Sequence, residues 1–155
     1  MGVAVCMGDR GAGWSQARAL LEKHRKELRE GLEWLKASGI QESEHIYWFD
    51  ASGIIRETLV GVIAGMAYGA MQVKTGKPII AFGTTEENEL KISGRGNYEL
   101  VRKGLKLGEA LREASRPLGG EGGGHDVAAG AKIPLDKRDV FLKSVEALIA
   151  KQLKK

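Results

Sequence analysis

The spacing of apolar residues divides the chain into helical and extended segments. Between Ser15 and Ser38, the positions Ala17, Leu21, His24, Leu28 and Leu35 recur at steps close to a helical period, with Gly31 in the same row and Leu20, Leu32 and Trp34 widening it. That pattern predicts one long helix, with Ser15 as its cap and Gly39 as its stop. Glu22 and Lys26 are expected to pair across one turn, and His24 reads as a stripe residue rather than a ligand. Met1 to Cys6 has the composition of a strand, or of the stub of one from an upstream part.

The β-branched and aromatic run His45 to Phe49 predicts a strand, and Asp50 to Gly53 a turn. Ile54 to Met71 predicts a helix that carries Gly61, Gly65 and Gly69 on one face, a stripe suited to close packing. Ile79 to Phe82 and Leu90 to Ser93 read as strands, separated by the acidic loop Gly83 to Glu89. A helix is expected from Tyr98 to Ser115, buried through Leu100, Val101, Leu105, Leu107 or Gly108, and Leu111. Ala131 to Pro134 is a short strand. Asp136 should cap the last helix with Asp139 completing an acidic capping box, above a buried stripe of Val140, Phe141, Val145, Leu148 and Ile149. Alternation of this kind implies an α/β fold: a single domain, a mixed sheet of about four or five strands flanked by helices, preceded by a long connector helix.

Composition narrows the class. At 155 residues, 43% hydrophobic and 28% charged, the chain suits one folded domain with a real core. The single cysteine, Cys6, excludes a disulfide framework and points to a reducing, cytoplasmic setting. His24, His45 and His125 lie too far apart in sequence for metal-ligand spacing. The net charge of +4 permits a nucleic-acid partner without requiring one, since Lys151, Lys154 and Lys155 at the end supply much of the surplus. No apolar run reaches membrane-spanning length, and no signal peptide is visible.

Gly119 to Pro134 reads GGEGGGHDVAAGAKIP. Such a run is either a flexible linker or a loop whose backbone N–H groups, at a helix start, cradle an anion. A second phosphate-suited stretch is Ser93-Gly94-Arg95-Gly96. A guanidinium matches a phosphate with two parallel hydrogen bonds, and Ser93 adds a hydroxyl. His125 could donate to the same anion, in a pH-sensitive way. Alternatively Arg95 pairs with Glu87 or Glu89, and His125 caps a helix. Tyr98, Trp14 and Trp48 are candidates for stacking on bases, Tyr98 foremost and Trp48 more suited to the core.

The residues Gly122, Gly123, Gly124, His125, Ala128, Ala129, Gly130, Ile133 and Pro134 resemble the glycine-histidine signature of the DHH-associated domain, type one. That domain is the C-terminal half of DHH-family phosphoesterases, among them RecJ-like single-strand-specific exonucleases. The resemblance implies a stub and connector helix over 1–39 and a nucleic-acid-binding domain over 40–155. It implies that Ser93, Arg95, Gly96, Gly122, Gly123, Gly124 and His125 hold substrate phosphates or the nucleic-acid backbone, with Tyr98 for stacking.

In the family, two divalent metals (Mg or Mn) sit in the N-terminal catalytic half. The aspartates Asp9, Asp50, Asp126, Asp136 and Asp139 form no Asp-His-His cluster, so no metal and no catalytic residue are expected here. The implied function is binding of single-stranded DNA or RNA, or of a nucleotide, with hydrolysis left to a DHH half elsewhere. Alanyl-tRNA synthetases carry the same domain type and use it on tRNA. The alternative is an interaction module: an exposed helix stripe that drives homodimerisation or docks on a catalytic partner or the replicative GINS complex.

Overall fold

The computed structural model describes residues 12–70 and 76–153, the side chains of 12–15 and 17 excepted. The expected strand Met1 to Cys6, Asp9, the Trp14 side chain and Met71 lie outside these residues. The chain divides into two units, Met1–Ala37 and Ser38–Lys155.

The first unit holds helix α1, Ala12–Ser38, which starts three residues before the expected cap. Gly39, with φ +81°, ends it in the left-handed conformation that glycine adopts readily. Its ion pairs differ from expectation. Glu22 joins Arg18 at 3.8 Å and Lys26 joins Glu30 at 3.9 Å, so both residues of the predicted pair are taken by neighbours on their other sides. His24 is exposed.

The second unit is built on a six-stranded mixed sheet in the order β1-β2-β3-β4-β6-β5. The strands are β1 (Gln41–Glu42), β2 (Tyr47–Asp50), β3 (Ile79–Thr84), β4 (Glu89–Arg95), β5 (Glu121–Gly124) and β6 (Ala128–Pro134). β2 and β3 are parallel and joined through helix α2, Glu57–Ala70; the other pairs are antiparallel. The strands that the pattern missed are the two-residue β1 and β5. A glycine run has no alternation to read, yet Glu121–Gly124 pairs with Lys132–Ala129 as an edge strand.

One face of the sheet is a closed apolar core. Leu90 and Ile92 of β4 and Ala129, Ala131 and Ile133 of β6 pack against two helices, α4 (Leu107–Ser115) and α5 (Arg138–Leu153). Phe82 stands edge-on to Phe141 at 6.1 Å and to Trp48 at 6.3 Å. α5 buries Phe141, Val145 and Ile149, a strict four-residue step, while Val140 is 49% exposed rather than buried. The predicted capping box is not formed: Asp136 lies in a 3-10 turn, Leu135–Lys137, ahead of α5, and Asp139 accepts from Arg138 at 3.3 Å.

The helix expected over 98–115 is two helices, α3 (Tyr98–Arg102) and α4. Gly104 breaks it at φ +116°. Gly104 N–H donates to Val101 O at 3.0 Å and Leu105 N–H to Leu100 O at 2.9 Å. That is the bond pattern of a helix end with glycine just beyond its cap, and Leu100 and Leu105 are both buried beneath it. A Cβ at position 104 would stand 2.3 Å from the Gln152 carbonyl oxygen, so the corner admits glycine alone. Asn97 caps α3 by accepting from Leu100 N–H at 2.8 Å, and its amide donates to the Tyr68 hydroxyl at 3.0 Å. Tyr68 in turn donates to Lys77 O at 2.8 Å, and burial raises its phenol to about 12.

No helix among the described residues is long and apolar enough to cross a membrane.

Candidate phosphate-binding cleft

β4 carries two chemistries because its side chains alternate between faces. Leu90, Ile92 and Gly94 face α4 and α5, where a Cβ on Gly94 would meet Leu107 at 3.0 Å. Lys91, Ser93 and Arg95 face the other way, toward α2. The antiparallel register sets Arg95 opposite Ala128, Ser93 opposite Gly130 and Lys91 opposite Lys132, and on the next strand Gly123 opposite Gly130. The two stretches separated by about thirty positions in sequence thus lie on neighbouring strands of one sheet face.

α2 covers part of that face, and its glycines determine how closely. A Cβ at Gly61 would stand 2.8 Å from Arg95 Nη2 and 3.1 Å from Ser93 Oγ, and one at Gly65 would be 3.7 Å from Arg95 Nε. The sequence stripe therefore does permit close approach, and what approaches is the guanidinium of Arg95. Gly69 of the same stripe has nothing within 4 Å.

Arg95 is half-buried, and its Nη1 donates to the Gly94 carbonyl at 2.8 Å. It makes no ion pair among the described residues. Burial, with no acid beside it, pushes its pKa down from the ordinary value. The pairing with Glu87 or Glu89 is not made, since Glu89 opens β4 and Arg95 closes it. A half-buried cation without a counter-ion is costly on its own, and an incoming anion would relieve that cost.

Arg95, Ser93, Lys91, Gly61, Gly123, Gly124 and Gly130 line one cleft of about 380 Å³, together with Glu57 and Thr58 at the start of α2. Glu57 Oε2 is buried and has no hydrogen-bond partner among the described residues. Gly122 lines the adjoining cleft instead; a Cβ there would sit 2.9 Å from Leu111 O and from Ser115 Oγ.

The hairpin turn differs from a loop feeding a helix. His125 N–H donates to Ala128 O at 2.8 Å, closing the turn between β5 and β6. The His125 and Asp126 carbonyls accept from Gly108 N–H at 3.2 Å and Leu107 N–H at 3.3 Å. A helix start does meet the glycine run, but it is that of α4, and these two amides are taken by the turn. The His125 side chain is exposed at the cleft's edge and does not line it. Gly96 does not line it either: its N–H donates to Val127 O at 2.8 Å, and a Cβ would stand 2.7 Å from Leu105 Cδ2. Tyr98, 74% exposed, opens α3 beyond the cleft. Trp48 packs edge-on against Phe82. Lys91, Glu57 and Thr58 were not anticipated from the sequence. The signal for Lys91 was its two-residue step to Ser93 and Arg95; Glu57 and Thr58 had none.

The chain belongs to the DHHA1 domain family, which matches residues 53–151. It is 32% identical to an uncharacterized protein of Methanocaldococcus jannaschii over 155 residues, all of this chain and 32% of that protein. The chain thus spans about a third of that relative's length. Among solved structures it resembles RecJ in complex with Mn²⁺ from Thermus thermophilus, with a TM-score of 0.64 at 20% identity over 88% of this chain and 18% of that one. The C-Ala domain of Aquifex aeolicus alanyl-tRNA synthetase superposes with a TM-score of 0.54 at 15% identity, covering 74% of this chain and 98% of that one. At such identities the likeness is one of fold.

Among the described residues, no three His, Cys, Asp or Glu side chains gather where they could hold a metal ion. The described side chains do not fit the metal pair of a DHH catalytic half.

Proposed function

We propose that the cleft binds the phosphates of a single-stranded nucleic acid or nucleotide and presents them to a DHH catalytic half. The observation that carries this reading is Arg95: half-buried, without an ion pair among the described residues, laid over Gly61 and beside Ser93 in a cleft floored by Gly123 and Gly130. Ser93 contributes a hydroxyl at the same position, and Gly122, Gly123 and Gly124 supply an edge strand with one side of its backbone unpaired. His125 adds a donor at the cleft's edge, Gly96 sets the exit of β4, and Tyr98 offers an exposed ring for a base. RNA suits such a backbone reading as well as DNA. The single cysteine supports a reducing, cytoplasmic setting.

The test is anisotropy titration of a labelled single-stranded oligonucleotide at two salt concentrations. Arg95→Ala should weaken binding about tenfold or more, the scale of one charge-assisted hydrogen-bonded contact, and should lower the salt slope by about 0.7. Equal binding by both proteins would overturn the assignment.

A second reading has its own observation. Leu20 and Leu21 of α1 are 53% and 57% exposed, which favours α1 as a docking surface for a catalytic half, a replication assembly such as GINS, or a second copy of the chain. Association through α1 would be insensitive to salt and lost in Leu20→Ser with Leu21→Ser, as read by sedimentation.

A further inference from the structure

We propose that Lys91 and Lys132 form a second phosphate subsite beside Arg95, so that the ligand is an oligonucleotide rather than a mononucleotide. The proposal rests on the phosphate reading of the Arg95 cleft and extends it by one backbone step.

Lys91 on β4 is directly opposite Lys132 on β6, with the strands about 4.8 Å apart. Like charges facing each other across a ladder destabilise a sheet. Neither lysine makes an ion pair among the described residues, and both are partly buried. Glu121 is the register partner of Lys132 on β5, yet it is exposed and pairs with neither. The two ammonium groups thus have an unfavourable placement that Glu121, which borders the same cleft, does not relieve through an ion pair. An anion between them would offset it.

The surroundings suit an extended backbone. Lys91, Lys132, Gly122, Gly123 and Gly130 border a cleft of about 340 Å³. It shares Lys91, Gly123 and Gly130 with the Arg95 cleft, so the two are one trough across β4, β6 and β5. The row between them is Ser93, Gly130 and Gly123. No side chain rises from its two glycines to divide the trough. From that row to the lysines is two residues of strand, about 6.6 Å, the order of one nucleotide of extended chain. Lys91, Lys132 and Arg95 set three positive charges against Glu57 and Glu121, a net of one. Glu57 sits in the first turn of α2, where the helix dipole favours an acid.

The experiment compares adenosine 5′-monophosphate with the 5′-phosphorylated adenosine dinucleotide by calorimetric titration. The proteins are wild type, Arg95→Ala, and the double variant Lys91→Gln with Lys132→Gln. Wild type should bind the dinucleotide at least tenfold tighter than the monophosphate. The double variant should lose that advantage, and a further variant, Lys132→Gln alone, which lies outside the Arg95 cleft, should bind the monophosphate within twofold of wild type. Its salt slope on a labelled oligonucleotide should fall by about 1.4, or 0.7 for each lysine. Its unfolding midpoint should be equal or higher, because a like-charge pair has been removed. A double variant that keeps the dinucleotide advantage, or that loses both ligands in equal measure, overturns the second subsite alone, provided Arg95→Ala still weakens the monophosphate. If wild type binds neither ligand, or Arg95→Ala weakens neither, the underlying reading falls as well.

Discussion

The two faces of β4 are made of the same seven residues taken alternately, and they have opposite fates. One face gives Leu90, Ile92 and Gly94 to a core closed by α4 and α5, in which Phe82, Phe141, Val145 and Ile149 are fully buried. The other gives Lys91, Ser93 and Arg95 to a face that α2 covers only in part. On the first, apolar burial does all the stabilising. On the second, glycines take the place of packing side chains, and Lys91 and Arg95 make no ion pair among the described residues. One face of β4 is closed by packing and the other stands partly open, and the alternation of a single strand keeps the two apart.

That contrast breaks most readily at the core. Phe141→Ala should destabilise the protein by about 3–5 kcal/mol, measured by urea unfolding, while any folded fraction still binds an oligonucleotide. Next comes Gly61→Ala. The new methyl would stand 2.8 Å from Arg95 Nη2 and so displaces the guanidinium. Binding should fall about tenfold. The unfolding free energy should hold or rise by up to about 1 kcal/mol, since alanine is the better helix former. A variant that loses stability but keeps binding would show that Gly61 serves packing alone.

His125→Ala should have a smaller effect, roughly two- to fivefold in oligonucleotide affinity, under about 1 kcal/mol, because His125 follows Gly124 of the cleft but does not line it. A loss equal to that of Arg95→Ala would place the imidazole among the main contacts. The smallest effect is expected at Asp50, remote from the cleft. Burial by itself would raise its pKa, but hydrogen bonds from Ser52 and Arg138, with the Arg138 charge, bring it below the ordinary range of an aspartate. A lowered carboxyl contributes stability above its unfolded pKa and loses it as pH falls through the folded one. Asp50→Asn should therefore flatten the decline in melting temperature below about pH 4 by under about 1 kcal/mol, as befits a partly exposed pair. An unchanged acid limb would remove the Asp50–Arg138 pair from the account.

Much of this architecture was legible in the sequence. Periodicity located α1, α2, α5 and four strands because those segments bury one face and alternate accordingly. The glycine-histidine pattern gave the family. The errors have physical causes. β5 was hidden because glycines carry no alternation. The break at Gly104 was hidden because the apolar stripe continues across it from Leu100 to Leu111, and only the Gln152 carbonyl, nearly fifty residues on, shows why the chain must turn. Val140 looked like core because it adjoins Phe141, but a helix admits only one of two neighbours to its buried centre. At the site, the types of residue were readable and their juxtaposition was not: pairing of Ser93 with Gly130 and of Arg95 with Ala128 is a matter of register.

Lys106 to Gly108 form a clasp with two sides. Gln152 receives the Lys106 N–H at 2.9 Å and donates to its carbonyl at 3.1 Å, while the next two amides, Leu107 and Gly108, hold the Asp126 and His125 carbonyls. Three consecutive residues thus buckle the final turn of α5 to the glycine hairpin. The final turn of α5 and the glycine hairpin are mechanical neighbours, although twenty-seven positions separate Gln152 from His125.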